Sequence, residues 1–144
     1  MKNKLLRIGI ALLSVGCLLL ILFLCGFGHC WISVRQVDKI ELTAGDESGT
    51  ATVELNAAEV RKFILCYHLS RYVGEVNAEN CDRIFFVRIY LNDGNQIHIA
   101  DHINERMKVT GLGSQSVWID NAVLLGYVKR LTREYDLLWT NWGC

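Results

Sequence analysis

Residues 8–27 carry no charged side chain, and thirteen of those twenty are Leu, Ile, Val or Phe. At about 1.5 Å of rise per residue, twenty helical residues match the roughly 30 Å hydrocarbon core of a bilayer. At roughly −0.3 to −0.6 kcal/mol each, the thirteen apolar residues contribute about −4 to −8 kcal/mol to insertion, before the Gly and Ser penalties. The core helix of a soluble protein keeps a polar stripe, and this stretch has none on any face. A transmembrane helix is therefore predicted, and the rest of the chain has to lie on one side of it or the other.

Two other fates compete for the segment. The basic run Met1-Lys2-Asn3-Lys4-Leu5-Leu6-Arg7 suits a secretory signal, but the apolar stretch runs past the usual ~7–15 residues, and the small-x-small site near its end is Gly26-Phe27-Gly28. Ser14-Val15-Gly16-Cys17 faintly resembles a bacterial lipobox, but it lacks the leading Leu, and apolar residues 18–24 follow the cysteine. An uncleaved anchor fits best. Lys2, Lys4 and Arg7 precede the span, whereas Arg35 and Lys39 after it alternate with Asp38 and Glu41. The positive-inside bias then predicts a single-pass protein of the cell membrane, with its N-terminus in the cytoplasm and its domain extracytoplasmic. The chain divides into residues 1–30, a basic stub and anchor, and residues 31–144, one domain of a size that folds alone.

Of 15 basic residues, setting aside Lys2, Lys4 and Arg7 leaves 12 against 15 acidic ones, a net charge of −3 for the domain. That balance argues against nucleic acid and anionic headgroups as partners, since both need a basic surface. Of six cysteines, Cys17 and Cys25 fall within the span. Cys30, Cys66, Cys81 and Cys144 remain, and four cysteines allow three pairings. In an oxidising compartment Cys66 with Cys81, and Cys30 with Cys144, are the candidate bridges, the shorter loop contributing about 3 kcal/mol; free buried thiols are the alternative. No C-x-x-C pair or zinc-finger spacing is present.

Residues 34–43 and 50–55 read as a hairpin around a turn at Ala44-Gly45-Asp46-Glu47-Ser48-Gly49. Asn56 followed by Glu59 is a capping-box start, and Val60, Phe63, Ile64 and Tyr67 recur at helical spacing, predicting a helix over residues 57–72 that ends near Gly74. Residues 83–91 and 96–100 flank Asn92-Asp93-Gly94-Asn95. If Asp93 and Gly94 form a two-residue loop, Tyr90 faces Ile97, Ile89 faces His98, and Ile97 shares a face with Phe86, Arg88 and Tyr90. Short strands at residues 107–110 and 117–119 precede a second helix, capped by Asp120, in which Leu124, Val128, Leu131 and Tyr135 repeat. The order β-β-α-β-β-β-β-α predicts an α+β fold with a mainly antiparallel sheet and two helices.

Ile40-Glu41-Leu42, the Asn56 helix, the Asp93-Gly94 hairpin and the Trp118-Ile119-Asp120 approach to a terminal helix together resemble small extracytoplasmic α+β domains of Gram-positive bacteria. Those domains are carried on single anchors or lipoproteins and are mostly uncharacterised. The resemblance is architectural, and it assigns no functional residue.

The candidate chemistry is sparse. His98, Asp101 and His102, with Glu105 beyond them, have the side chains a divalent metal needs. Solvated or hydrogen-bonded residues at a strand end are the simpler reading. Gly111-Leu112-Gly113-Ser114 lacks a complete phosphate-loop pattern, and neither Ser114 nor Ser116 has a G-x-S-x-G setting, so no cofactor is expected. Trp31 directly after the span suits a membrane interface, and Trp139 and Trp142 suit either an interface or a partner. The expected function is a non-enzymatic binding, sensing or accessory module with an envelope protein as partner. The alternatives are a metal-binding or metal-dependent hydrolytic domain, and an immunity or inhibitor-like protein.

Overall fold

A computed structural model describes residues 2–26, 31–46, 49–75, 85–101, 106–111 and 116–137. The apolar segment is helical as α1, Lys2–Leu24. Its window Arg7–Leu24 has a mean hydropathy of 2.5 with none of it buried, which makes it long and apolar enough to cross a membrane. The helix stops before the expected residue 27. The Gly26 N–H is donated to the Phe23 carbonyl, and Gly26 takes φ +90, the left-handed ending that glycine adopts without a Cβ penalty. The Gly26 carbonyl then accepts the Tyr72 N–H at 2.9 Å, joining the end of α1 to the domain.

The domain opens with a single 3-10 turn, Val34–Gln36, held by a Ser33/Gln36 capping box. Seven strands follow: β1 Val37–Asp46, β2 Gly49–Glu54, β3 Arg71–Glu75, β4 Phe85–Leu91, β5 Gln96–Asp101, β6 Arg106–Thr110 and β7 Val117–Asp120. They form one sheet in the order β2-β1-β4-β5-β6-β7-β3, and every pairing in it is antiparallel. The helices α2, Ala57–Tyr67, and α3, Ala122–Glu134, share one core with the sheet. Alternation places Ile40 and Leu42, Val87 and Ile89, Ile97 and Ile99, and Met107 and Val109 in that core, along with Phe63 and Tyr67 of α2 and Leu124, Val128 and Leu131 of α3. The α+β class stands as expected, with one strand more than the pattern showed.

That strand is β3. The helix expected over residues 57–72 ends at Tyr67, because the chain beyond it is taken by β7: Arg71 pairs with Asp120 and Tyr72 with Ile119. The start of the helix is as read, with Asn56 Oδ1 accepting from the N–H groups of Ala58 and Glu59 while Glu59 accepts from the Asn56 N–H. The second helix is capped by Asn121, not by Asp120. Asp120 is instead the last residue of β7, paired with Arg71 at 2.9 Å and Arg106 at 3.4 Å.

The first hairpin is tighter than expected. Pairing runs through the presumed turn to Asp46 opposite Gly49. The second hairpin is shifted by one residue. Leu91 N–H is donated to the Asn95 carbonyl and Gly94 N–H to the Leu91 carbonyl, so the loop is Asn92-Asp93-Gly94, with Gly94 at φ +86. A three-residue loop with glycine in the left-handed region replaces the two-residue turn. Tyr90 therefore faces Gln96, Ile89 faces Ile97, and Arg88 faces His98. A one-residue slip reverses the face of a whole strand, so Ile97 lies in the core and His98 joins Phe86, Arg88 and Tyr90 on the other face.

Candidate functional site

The sheet face away from α2 and α3 is where polar chemistry collects. Its residues come from the alternate positions of each strand: Lys39 and Glu41 of β1, Phe86, Arg88 and Tyr90 of β4, His98 and Ala100 of β5, and Lys108 and Thr110 of β6. Glu41 is the centre of one half. Its carboxylate accepts from Lys39 Nζ at 2.7 Å, from the Tyr90 hydroxyl at 2.7 Å and from Arg88 Nη1 at 3.4 Å, while Arg88 also donates to the Tyr90 hydroxyl at 3.0 Å. The Lys39 ammonium sits 4.6 Å from the Tyr90 ring centre. Glu41 faces Arg88 across the β1–β4 ladder, so opposite charges meet directly and support the register.

These contacts shift the titrations. The hydrogen bonds from Lys39 and then from Tyr90 hold the Glu41 carboxyl below its ordinary value. The Glu41 carboxylate in turn raises the Lys39 ammonium above its own. The Arg88 guanidinium is raised first by its bond to Tyr90. At neutral pH the group is one carboxylate between two cations.

The other half is a groove of about 390 Å³ lined by Phe86, His98, Ala100, Lys108, Thr110 and Ser116. Phe86 and His98 meet with ring centres 5.3 Å apart at a tilt of 53°. The Arg88 guanidinium carbon lies 5.3 Å from the Phe86 ring centre. The Thr110 and Ser116 hydroxyls are 3.1 Å apart and hydrogen-bonded. An ammonium, two hydroxyls and an aromatic face suit a ligand with an anionic group beside an apolar one.

Of the expected metal set, His98 lies in this groove, and Asp101 ends β5, its backbone paired with Met107. The Asp101 side chain, His102 and Glu105 lie outside the described residues, and among those described no group of three or more His, Cys, Asp or Glu could hold a metal ion. Cys66 is a buried, unbonded thiol raised above its ordinary pKa by burial, while Cys30, Cys81 and Cys144 lie outside the described residues, as do Trp139 and Trp142. Trp31 is exposed and stacks on His68, with centroids 4.1 Å apart and planes within 5°.

Reading from sequence did not find Glu41, Arg88, Lys108 or Thr110 as a set. Each looks like a solvated residue in an alternating strand, and only the β1–β4–β5–β6 pairing brings them side by side. The one local trace is the repeated i, i+2 spacing of polar or aromatic residues at Lys39/Glu41 and Arg88/Tyr90. Against known proteins, no family model matches the chain, no curated protein matches its sequence, and no solved structure matches its fold.

Proposed function

We propose that the chain is a non-enzymatic module held at the outer face of a membrane by α1, binding an envelope partner through the open face of its sheet. The observation that carries the reading is the groove beside Phe86, His98 and Lys108, on a face that no helix covers among the described residues. The exposed apolar window Arg7–Leu24 supports the anchor, and Lys2 and Lys4 before it, with Arg7 at its start, support the cytoplasmic N-terminus. Lys108 supplies charge for a carboxylate or similar anion on the partner, and Phe86 supplies the apolar contact next to it. An envelope protein segment carrying an acidic group is the occupant these side chains suit.

The test uses the full-length protein in intact cells, with a photo-crosslinking amino acid at Thr110 in the groove and, separately, at Arg133 on α3. A specific adduct from Thr110, lost with Lys108→Glu or Phe86→Ala and not seen from Arg133, is the expected result. No adduct from Thr110, or the same adducts from both positions, overturns the reading of this face. Resistance of the membrane-bound chain to carbonate extraction, with residues 31–144 open to external protease, checks the anchor and its orientation.

A further inference from the structure

Outside α1, the large apolar side chains that stand exposed among the described residues are four: Trp31 at 70%, Leu65 at 65%, Leu69 at 54% and Val123 at 54%. A few exposed apolar residues scattered over a surface need no explanation. These are not scattered.

Three links bring them to one end of the domain. The Trp31 ring stacks on His68, and His68 Nε2 makes a 2.7 Å hydrogen bond with the Ile32 carbonyl, so the chain leaving the anchor is fastened to the end of α2. Leu65 stands on the last turn of α2 and Leu69 just beyond it, its N–H donated to the Cys66 carbonyl at 3.1 Å, so both lie at the same helix end as His68. Asn121 Nδ2 donates to the Cys66 carbonyl at 2.7 Å and to Ser70 Oγ at 2.8 Å, so the start of α3, with Val123, sits at that same end. The Gly26 carbonyl accepts the Tyr72 N–H two residues beyond Ser70, which brings the end of α1 there too.

We infer that Trp31, Leu65, Leu69 and Val123 form a second membrane contact, resting at the headgroup level of the outer leaflet beside the exit of α1. The inference rests on the anchor reading of α1 and adds to it the orientation of the domain. The occupant is the lipid interface because these residues lie at the end of the domain to which the Gly26–Tyr72 bond holds α1. The indole is of the type enriched at that depth, and the aliphatic side chains gain free energy by leaving water. The β3 edge, where α1 docks, then faces the membrane. The β2 edge lies six strand spacings, roughly 29 Å, across the sheet.

The test is paramagnetic relaxation of methyl signals in the full-length chain, Leu- and Val-labelled and reconstituted in nanodiscs with and without a gadolinium-bearing headgroup lipid. The Leu65, Leu69 and Val123 methyls are expected to lose most of their intensity, while Val53 on β2 keeps its own. Equal attenuation of all four residues in a chain that remains in the disc overturns the inference, leaving the patch to a protein partner or to another segment of this chain. A chain that does not enter the discs overturns the anchor reading itself, and this inference with it.

Discussion

The side-chain amide of Asn121 donates to the main-chain carbonyl of Cys66 at 2.7 Å, so the residue that begins α3 also completes the end of α2. Its Oδ1 accepts the Leu124 N–H at 2.8 Å as the helix cap, and its amide reaches Ser70 Oγ as well. At the other end of the pair, the Tyr135 hydroxyl donates to the Glu59 carboxylate at 2.7 Å. The two helices are thus tied at both ends by side chains that also serve as caps.

Asn121→Ala removes a cap and strips the buried Cys66 carbonyl and Ser70 hydroxyl of a shared donor. The Cys66 carbonyl keeps the Leu69 N–H at 3.1 Å, so the cost is the lost cap, about 1 kcal/mol, plus two lost buried hydrogen bonds at about 0.5–1.5 kcal/mol each, roughly 2–4 kcal/mol together. Asn121→Asp keeps the acceptor for Leu124 but not the amide donors, and it too is expected to be less stable than the native chain. Thermal unfolding of the full-length protein in detergent measures both; an unchanged midpoint in the alanine variant would remove the tie from the account.

Gly26→Ala attacks the joint between α1 and the domain. At φ +90 an L side chain is strained by at least about 1 kcal/mol, and the added Cβ would stand 2.6 Å from the Tyr72 carbonyl oxygen. The expected outcome is separation of the two segments with the sheet core intact. Hydrogen exchange should show the Tyr72 amide, now without its Gly26 acceptor, exchanging much faster while the Ile89 and Ile97 amides keep their protection. Equal exchange at Tyr72 in both proteins would contradict the joint.

Glu41 makes the acid side of the stability profile specific. A carboxyl whose folded pKa lies below its unfolded value stabilises the fold above that unfolded value, about 4.3, and the contribution is lost as pH falls through the folded pKa. Glu41 is such a group, lowered first by Lys39 and then by Tyr90. A carbon-detected NMR titration should place its midpoint below that of an exposed glutamate. Lys39→Gln should raise the midpoint more than Tyr90→Phe does. The reverse order would mean that the phenol, not the ammonium, dominates the site.

Features written in adjacent residues were legible. The capping box of Asn56 and Glu59 needs only its own four residues, and it forms as the spacing predicts. Leu124, Val128 and Leu131 are buried as their periodicity requires. Where two local solutions lie close in energy, reading failed by small steps: Asn92-Asp93-Gly94 closes a three-residue loop, and that single residue moves His98 from opposite Ile89 to opposite Arg88. At β3 the failure was larger. Tyr72 and Val73 suit a strand as well as the end of a helix, and the decision rests with β7, whose pairing residues lie more than forty positions further on.

By itself, the sequence determined the long apolar helix, the alternation of the strands, the capping box of α2 and the α+β class, because each depends on side chains within a few residues of one another. Tertiary structure alone decided where α2 stops, that Asn121 rather than Asp120 caps α3, and which polar residues share a surface. Glu41 and Arg88 meet only once β1 and β4 are in register, and Phe86 and Lys108 line one groove, with Ser116 just before β7, only because β5 pairs with both β4 and β6. Backbone hydrogen bonds between distant segments set those neighbours, and no window of sequence contains both partners.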